Sequence, residues 1–221
     1  MSPDHLLLIA DATLQTVYMV AASVILGTLI GLPVGVYLAT SQKGEMFESP
    51  WINRVLGFIV NATRSTPFII LVVAIIPFTR LVAGTSIGTT AAIVPLTVAC
   101  APFIARLIEG AVREVDPGLI EAARAMGATP LQIVRKVLLP EALPAIVLAL
   151  TLAIVSLIGY SAMVGTVGGG GLGDLGIRYG YQRFMPDVML VVVVVLIVMV
   201  QGVQSLGDRL ARRVDKRVRR G

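Results

Sequence analysis

Arg113-Glu114-Val115-Asp116-Pro117-Gly118-Leu119-Ile120-Glu121-Ala122-Ala123-Arg124-Ala125-Met126-Gly127-Ala128-Thr129-Pro130-Leu131-Gln132 is charged and punctuated by proline and glycine, between long uncharged segments. Asp116 before Pro117 is a helix cap followed by proline at the first helical position. Leu119, Ile120, Ala123 and Met126 recur at helical spacing, and Gly127 is the stop. Thr129 to Gln132 has the capping-box pattern that starts a second helix. Pro140 and Pro144 limit how far that second helix continues without a kink. A folded polar element in this setting is either a solvated connector or a docking surface, because docking surfaces also combine short apolar anchors with charge.

The setting is a membrane. The 221 residues are 56% hydrophobic and 14% charged, with a mean hydropathy of +0.89. A soluble domain of this length needs more polar surface. The length suits one membrane domain. A net charge of +5 would suggest nucleic acid in a soluble chain, but here it reads as topology, and no nucleic-acid partner is expected. The single cysteine, Cys100, lies in an apolar run and the single histidine, His5, near the start. That leaves no disulfide, no zinc constellation and no expected metal. No basic n-region precedes Leu6–Ile9, so a cleaved secretory signal is not expected.

A helix needs roughly 20 apolar residues to cross the hydrocarbon core. Uncharged intervals run from Asp11 to Lys43, Arg80 to Arg106, Glu141 to Asp174 and Asp187 to Asp208. They predict spans near 13–38, 86–105 and 143–164, and a last one within 188–207. Between Arg64 and Arg80 only 15 uncharged residues intervene. A helix over 55–78 is long enough but carries Arg64 into or near the membrane, where it snorkels or faces a polar interior. The expected fold is an all-α membrane protein of five transmembrane helices. Its regions are an external segment 1–12, a transmembrane domain 13–207 with a loop at about 113–140, and a basic tail 208–221.

With that loop and the C-terminus inside, 15 of the 18 Lys and Arg residues lie on the cytoplasmic side, leaving Arg80, Arg178 and Arg183 outside. The positive-inside rule selects this orientation, and five spans then put the N-terminus outside and the C-terminus in the cytoplasm. The tail from Arg209 to Arg220 reads as the matching anchor at the lipid surface. Within the spans, Ser23, Gly27, Gly31 and Gly35 repeat a small residue every fourth position, as do Ala145, Ala149 and Ala153. Such faces let helices approach closely in lipid. Arg106 and Glu109 are spaced to pair along one helix face at the inner membrane edge.

Other motifs read more plainly. Gly171, Gly173 and Gly176 form a GxGxxG, but no βαβ unit surrounds it and the position for its acidic partner falls in the last span. A flexible external turn after the fourth span is the expectation. No GxxxxGK[ST] occurs, so the chain has no ATP site of its own. Paired carboxylates for a proton relay are missing from the spans, and an ion-coupled carrier or facilitator would have only Arg64 to work with. Met163, in Gly159-Tyr160-Ser161-Ala162-Met163, is either ordinary packing or a residue of a translocation path.

Glu121-Ala122-Ala123, Gly127 and then Leu139-Pro140 resemble the EAA loop of permease subunits of bacterial ABC importers, with eleven residues between Gly127 and Leu139. Arg64-Ser65-Thr66-Pro67-Phe68, Ile76-Pro77-Phe78-Thr79-Arg80, Ala101-Pro102-Phe103-Ile104-Ala105-Arg106 and Gly159-Tyr160-Ser161-Ala162-Met163 are similar to the methionine branch of that family. The similarity covers most of 31–183. It implies a multi-pass subunit of the bacterial inner membrane, paired with a second copy of itself and two cytoplasmic ABC ATPases. An external substrate-binding protein would deliver methionine, D or L. ATP and magnesium would be bound by the ATPase, with no cofactor in this chain. Between spans 3 and 4, a cytoplasmic coupling helix would meet the ATPase through Glu121, Ala122, Ala123, Met126 and Gly127. Tyr160, Ser161, Met163 and Arg64 would line the substrate path. Physical reasoning alone leaves another small amino acid or a quaternary amine open as the cargo. Arg124 directly after Ala123, and Asp174, Arg178 and Arg183 around the glycine-rich turn, are positions where relatives would differ.

Overall fold

The computed structural model describes residues 3–215, and the basic tail beyond Asp215 lies outside the described residues. The described chain is helical nearly throughout: α1 Pro3–Thr40, α2 Pro50–Ser65, α3 Phe68–Ala74, α4 Ile76–Ala83, α5 Thr89–Arg113, α6 Pro117–Ala125 and α7 Pro130–Ile133, with α7 running through a π-helical turn Val134–Leu138 into α8 Leu139–Gly165. The short α9 Gly171–Leu175 follows, then a second π-helical turn Gly176–Tyr181, and α10 Pro186–Val214 closes the bundle. Among the described residues four helical stretches are long and apolar enough to cross a membrane, and counting the bent pair, α2 with α3, as one broken span makes five.

Each span differs from its sequence expectation for a local reason. Helix α1 has 38 residues, about 57 Å at 1.5 Å per residue. It begins at Pro3, so residues 3–12 of the expected external segment are already helix; Asp11 does not interrupt it, because its carboxylate accepts a hydrogen bond from Gln15 Nε2 at 2.7 Å on the exposed face. The third span runs on to Arg113, beyond the expected end at 105, because Arg106, Glu109 and Arg113 neutralise one another along it. The fourth is continuous from Pro130 to Gly165.

The second span is not the single helix expected over 55–78. Pro67 keeps Thr66 out of the helical region (φ −81°, ψ 126°), and α2 and α3 meet at 104°. A further break at Ile75, just before Pro77, separates α3 from α4. Arg64 is therefore at the end of α2, exposed, rather than inside a straight span.

The bundle is built on α1 against α5, the most extensive contact in the chain. The small-residue face makes it. A Cβ on Gly27 would stand 2.9 Å from Cys100 Sγ, on Gly31 2.6 Å from the Ala101 carbonyl oxygen, and on Gly35 2.4 Å from that of Ala105. Ser23 extends the row, donating its hydroxyl to Ile93 O at 3.4 Å. Helix α8 covers the other side of α5, with Ala149 and Ala153 buried. Across α8, α10 crosses where Gly207 meets the Thr151 side chain.

The glycine-rich segment is packed into the bundle rather than left as a loose turn. It folds back between α1 and α8, burying Leu172 and Leu175. Gly171 N–H donates to Gln15 Oε1 and Leu172 N–H to Thr16 Oγ1, both at 2.9 Å. Gly173 rests on the Ala162 backbone, where a Cβ would come within 2.4 Å. The glycines serve protein packing, and no phosphate cradle forms from them.

Candidate functional site

The loop element forms as its sequence dictates. Asp116 Oδ1 accepts the Gly118 N–H at 2.8 Å and caps α6. At the other end Gly127, at φ +78°, takes the left-handed conformation that a residue with a Cβ resists. Its N–H donates to Arg124 O at 2.9 Å and the Ala128 N–H to Ala123 O at 3.1 Å, which is the Schellman pair of bonds. The capping box of the next helix is complete: Thr129 Oγ1 accepts from Gln132 N–H and Gln132 Oε1 from Thr129 N–H. Helix α6 is thus fixed in length by chemistry at both ends, between α5 and α7 at one end of the bundle.

Its faces divide the candidate residues. Ala123 is 4% exposed and packs with Ile133, Val134 and Leu138 into the bundle. Glu121, Ala122, Arg124 and Ala125 face outward, and Met126 is 81% exposed. Ala122 and Ala123 therefore do not share one outward surface as the sequence suggested. Successive residues are about 100° apart on a helix, so Ala123 seats α6 on its own chain while Ala122 is left free. Beside α6 lies a cleft of about 220 Å³, lined by Glu45, Met46, Ile120, Glu121 and Arg124 among others. The α1–α2 connection forms its far wall. That connection is ordered by Asn53, whose Nδ2 donates to Leu38 O and Ser41 Oγ, both at 2.9 Å.

The path candidates gather less completely. Tyr160 of α8 stacks on Phe68 at the start of α3, ring centroids 4.5 Å apart and 13° from parallel. Arg64 places its guanidinium 6.0 Å from the centre of the Phe103 ring, a cation–π distance. Phe68, Tyr160, Arg64 and Phe103 thus join the bend of the second span to α5 and α8. Met163 is 43% exposed. Ser161 turns the other way: it is buried, and its hydroxyl donates to Ile158 O at 2.7 Å. A hydroxyl already satisfied by its own helix has little to offer a passing solute.

Sequence reasoning missed Asn61 and half of the role of Glu109. The i, i+3 spacing of Arg106 and Glu109 was legible, and the pair forms. That Arg113 also binds Glu109, and that Arg106 reaches Asn61 on another helix, needed the fold. The available signal was an asparagine beside the apolar run of α2. At the opposite end of the bundle Arg178 pairs with Asp174, and Arg183 lies over the Tyr179 ring at 4.3 Å. Among the described residues no group of three His, Cys, Asp or Glu side chains could hold a metal ion.

Comparison with known proteins follows the same lines. The profile of the family described as "Binding-protein-dependent transport system inner membrane component" matches residues 31–220. A probable D-methionine transport system permease protein MetI of Vibrio cholerae is 59% identical over 210 residues, covering 95% of this chain and 93% of that protein. The D-methionine transport system permease protein MetI of Escherichia coli is 54% identical over 165 residues, 75% of this chain and 76% of that one. A chain from the methionine ABC transporter MetNI in inward-facing conformations superposes with a TM-score of 0.96 at 52% identity, over 98% of this chain and 100% of the other. An amino acid ABC transporter at 23% identity and TM-score 0.79 shares the fold.

Proposed function

The chain belongs to the inner membrane components of binding-protein-dependent transport systems, and from that membership we propose that it is the permease subunit of an ATP-driven methionine importer. It is a multi-pass protein of the bacterial inner membrane that forms the path for the amino acid, D or L. ATP is hydrolysed by a separate ABC ATPase subunit. The observation that carries the reading is the joint one of α6 and the bundle. A doubly capped helix with a free outer face stands at the end of a bundle that matches the MetNI chain over nearly its whole length.

In this reading two copies of the chain pair in the membrane, two cytoplasmic ATPases dock on their α6 helices, and an external binding protein delivers the cargo. ATP and magnesium stay on the ATPases. The end carrying α6 is cytoplasmic and the N-terminus external, as the basic residues require. Glu121, Ala122 and Met126 supply the contact: a carboxylate for a basic group, a small residue that permits close approach, and a flexible apolar side chain that fills irregular gaps. Ala123 and Gly127 hold that surface in place. Closure of the ATPase pair moves α6 and rocks the bundle between inward and outward access, a two-state switch biased by a ligand on another chain. Tyr160, Met163 and Arg64 line the moving face.

The test is uptake of labelled methionine by proteoliposomes holding this chain, its ATPase and its binding protein, with betaine as competitor. ATP-dependent methionine uptake that betaine does not reduce is expected. Uptake of betaine in place of methionine would move the cargo to quaternary amines, and uptake without the ATPase would make the chain a facilitator.

A further inference from the structure

Glu109 is the one charged side chain that the fold buries among the described residues, at 3% exposure. Two arginines of the same helix hold it. Arg106 binds Oε2 through Nη1, and Arg113 binds Oε1 through Nη2 at 2.5 Å. Arg106 turns its second terminal nitrogen, Nη2, across to α2, where it donates to Asn61 Oδ1 at 2.7 Å. An apolar patch, Val60 and Leu56 beside Ala105, and Arg64 over the Phe103 ring complete that helix contact.

The placement matters more than the bonds. Arg113 is in the last turn of α5, three residues before the Asp116 cap of α6. Asn61 is one turn before Arg64, and α2 ends at the 104° bend that presents Phe68 to Tyr160. A single run of contacts therefore leads from the base of the docking helix to the path residues. Burying a carboxylate is costly, and an apolar side chain would fill the site at least as favourably. An apolar side chain cannot, however, orient a planar guanidinium so that it meets a chosen partner on a second helix.

We propose that Glu109 and Arg106 are positioning residues of the transport cycle, fixing the end of α5 to Asn61 so that movement of the docking helix is delivered to α2 and the path face. The proposal rests on the importer reading above. Asn61 lies on the exposed side of α2, so replacing it leaves the fold intact. The complete transporter, reconstituted with ATPase and binding protein, is assayed for methionine uptake and ATP hydrolysis in the same vesicles. Asn61→Ala keeps hydrolysis near wild type while methionine imported per ATP falls about tenfold, within the usual span of coupling between sites. Asn61→Asp restores most of the ratio, because it returns an oxygen to Arg106. Arg106→Lys, which keeps the charge beside Glu109 but loses the fork, behaves as Asn61→Ala does. A wild-type ratio in Asn61→Ala, or an Asn61→Asp as uncoupled as the alanine variant, overturns the proposal. Failure of the wild-type transporter to import methionine would instead overturn the importer reading itself, so the two are told apart in one assay.

Discussion

Helix α5 is gripped on two sides in opposite ways. Against α1 the contact is made of absences: Gly27, Gly31 and Gly35 bring the backbones together, and Ser23 adds a hydroxyl donated across it. Against α2 it is a small apolar patch, Arg106 reaching Asn61, and Arg64 over the Phe103 ring. Close-packed backbones have no second arrangement nearby, because any sliding drives a carbonyl into a neighbour. A hydrogen bond from a planar guanidinium instead holds the two helices at one directed point. The lesson is a division of labour in which backbone packing joins α1 to α5 and side chains join α2 to α5.

The sharpest way to break this picture is to fill the tight side. Gly35→Val puts side-chain atoms where a carbonyl oxygen stands 2.4 Å from the Cβ position. Overpacking of this kind costs about 3 kcal/mol or more, so the variant yields no folded permease by gel filtration and therefore no uptake. Normal yield would show that the α1–α5 contact tolerates added side chains. Next in size is Ala122→Glu on the outer face of α6. It preserves assembly but reduces uptake per ATP by about tenfold or more, measured as in the proteoliposome assay. The buried neighbour offers the contrast: Ala123→Glu lowers folded yield instead, since it forces a charge into the bundle.

Smaller effects refine the comparison. Gly207→Ala on α10 brings a Cβ to 2.1 Å from Thr151 Oγ1, which destabilises by about 1–3 kcal/mol. Thr151→Ala in the same chain recovers part of that loss, as thermal unfolding in detergent would report. Last comes Asp116→Ala, which removes a single cap for about 1 kcal/mol. Hydrogen exchange then speeds up in α6 alone while α5 stays protected, and equal loosening of both would show that the two helices are one cooperative unit.

Much of this was legible in the residues because the signals are local. Ser23, Gly27, Gly31 and Gly35 announce a close-packed face at fixed spacing, and Asp116, Pro117 and Gly127 bound a helix without help from the rest of the chain. What was not legible depends on partners distant in sequence. The run Gly168–Gly171 carries no side chains to declare where it packs. Its partners Gln15 and Thr16 lie 156 residues away from Gly171 and Leu172. The bend at Pro67 was marked by its proline, yet the 15 uncharged residues before Arg80 were too few to cross alone, so one longer span over 55–78 was expected. Ala123 and Ala122 were read as one surface because a motif is a string, and a string does not say which way each residue faces.

The π-helical turn at Val134–Leu138 has a consequence for geometry. The inward row Val134, Leu138, Ala142 and Ile146 advances by four residues each time, and in an ideal α-helix each such step drifts about 40° off axis. The widened turn, closed by Leu139 N–H on Val134 O, absorbs the drift ahead of Pro140. It acts as a phase adjuster between α7 and α8, letting each keep its own bearing on one continuous rod. Removing a single residue there would turn the two against each other by about 100°.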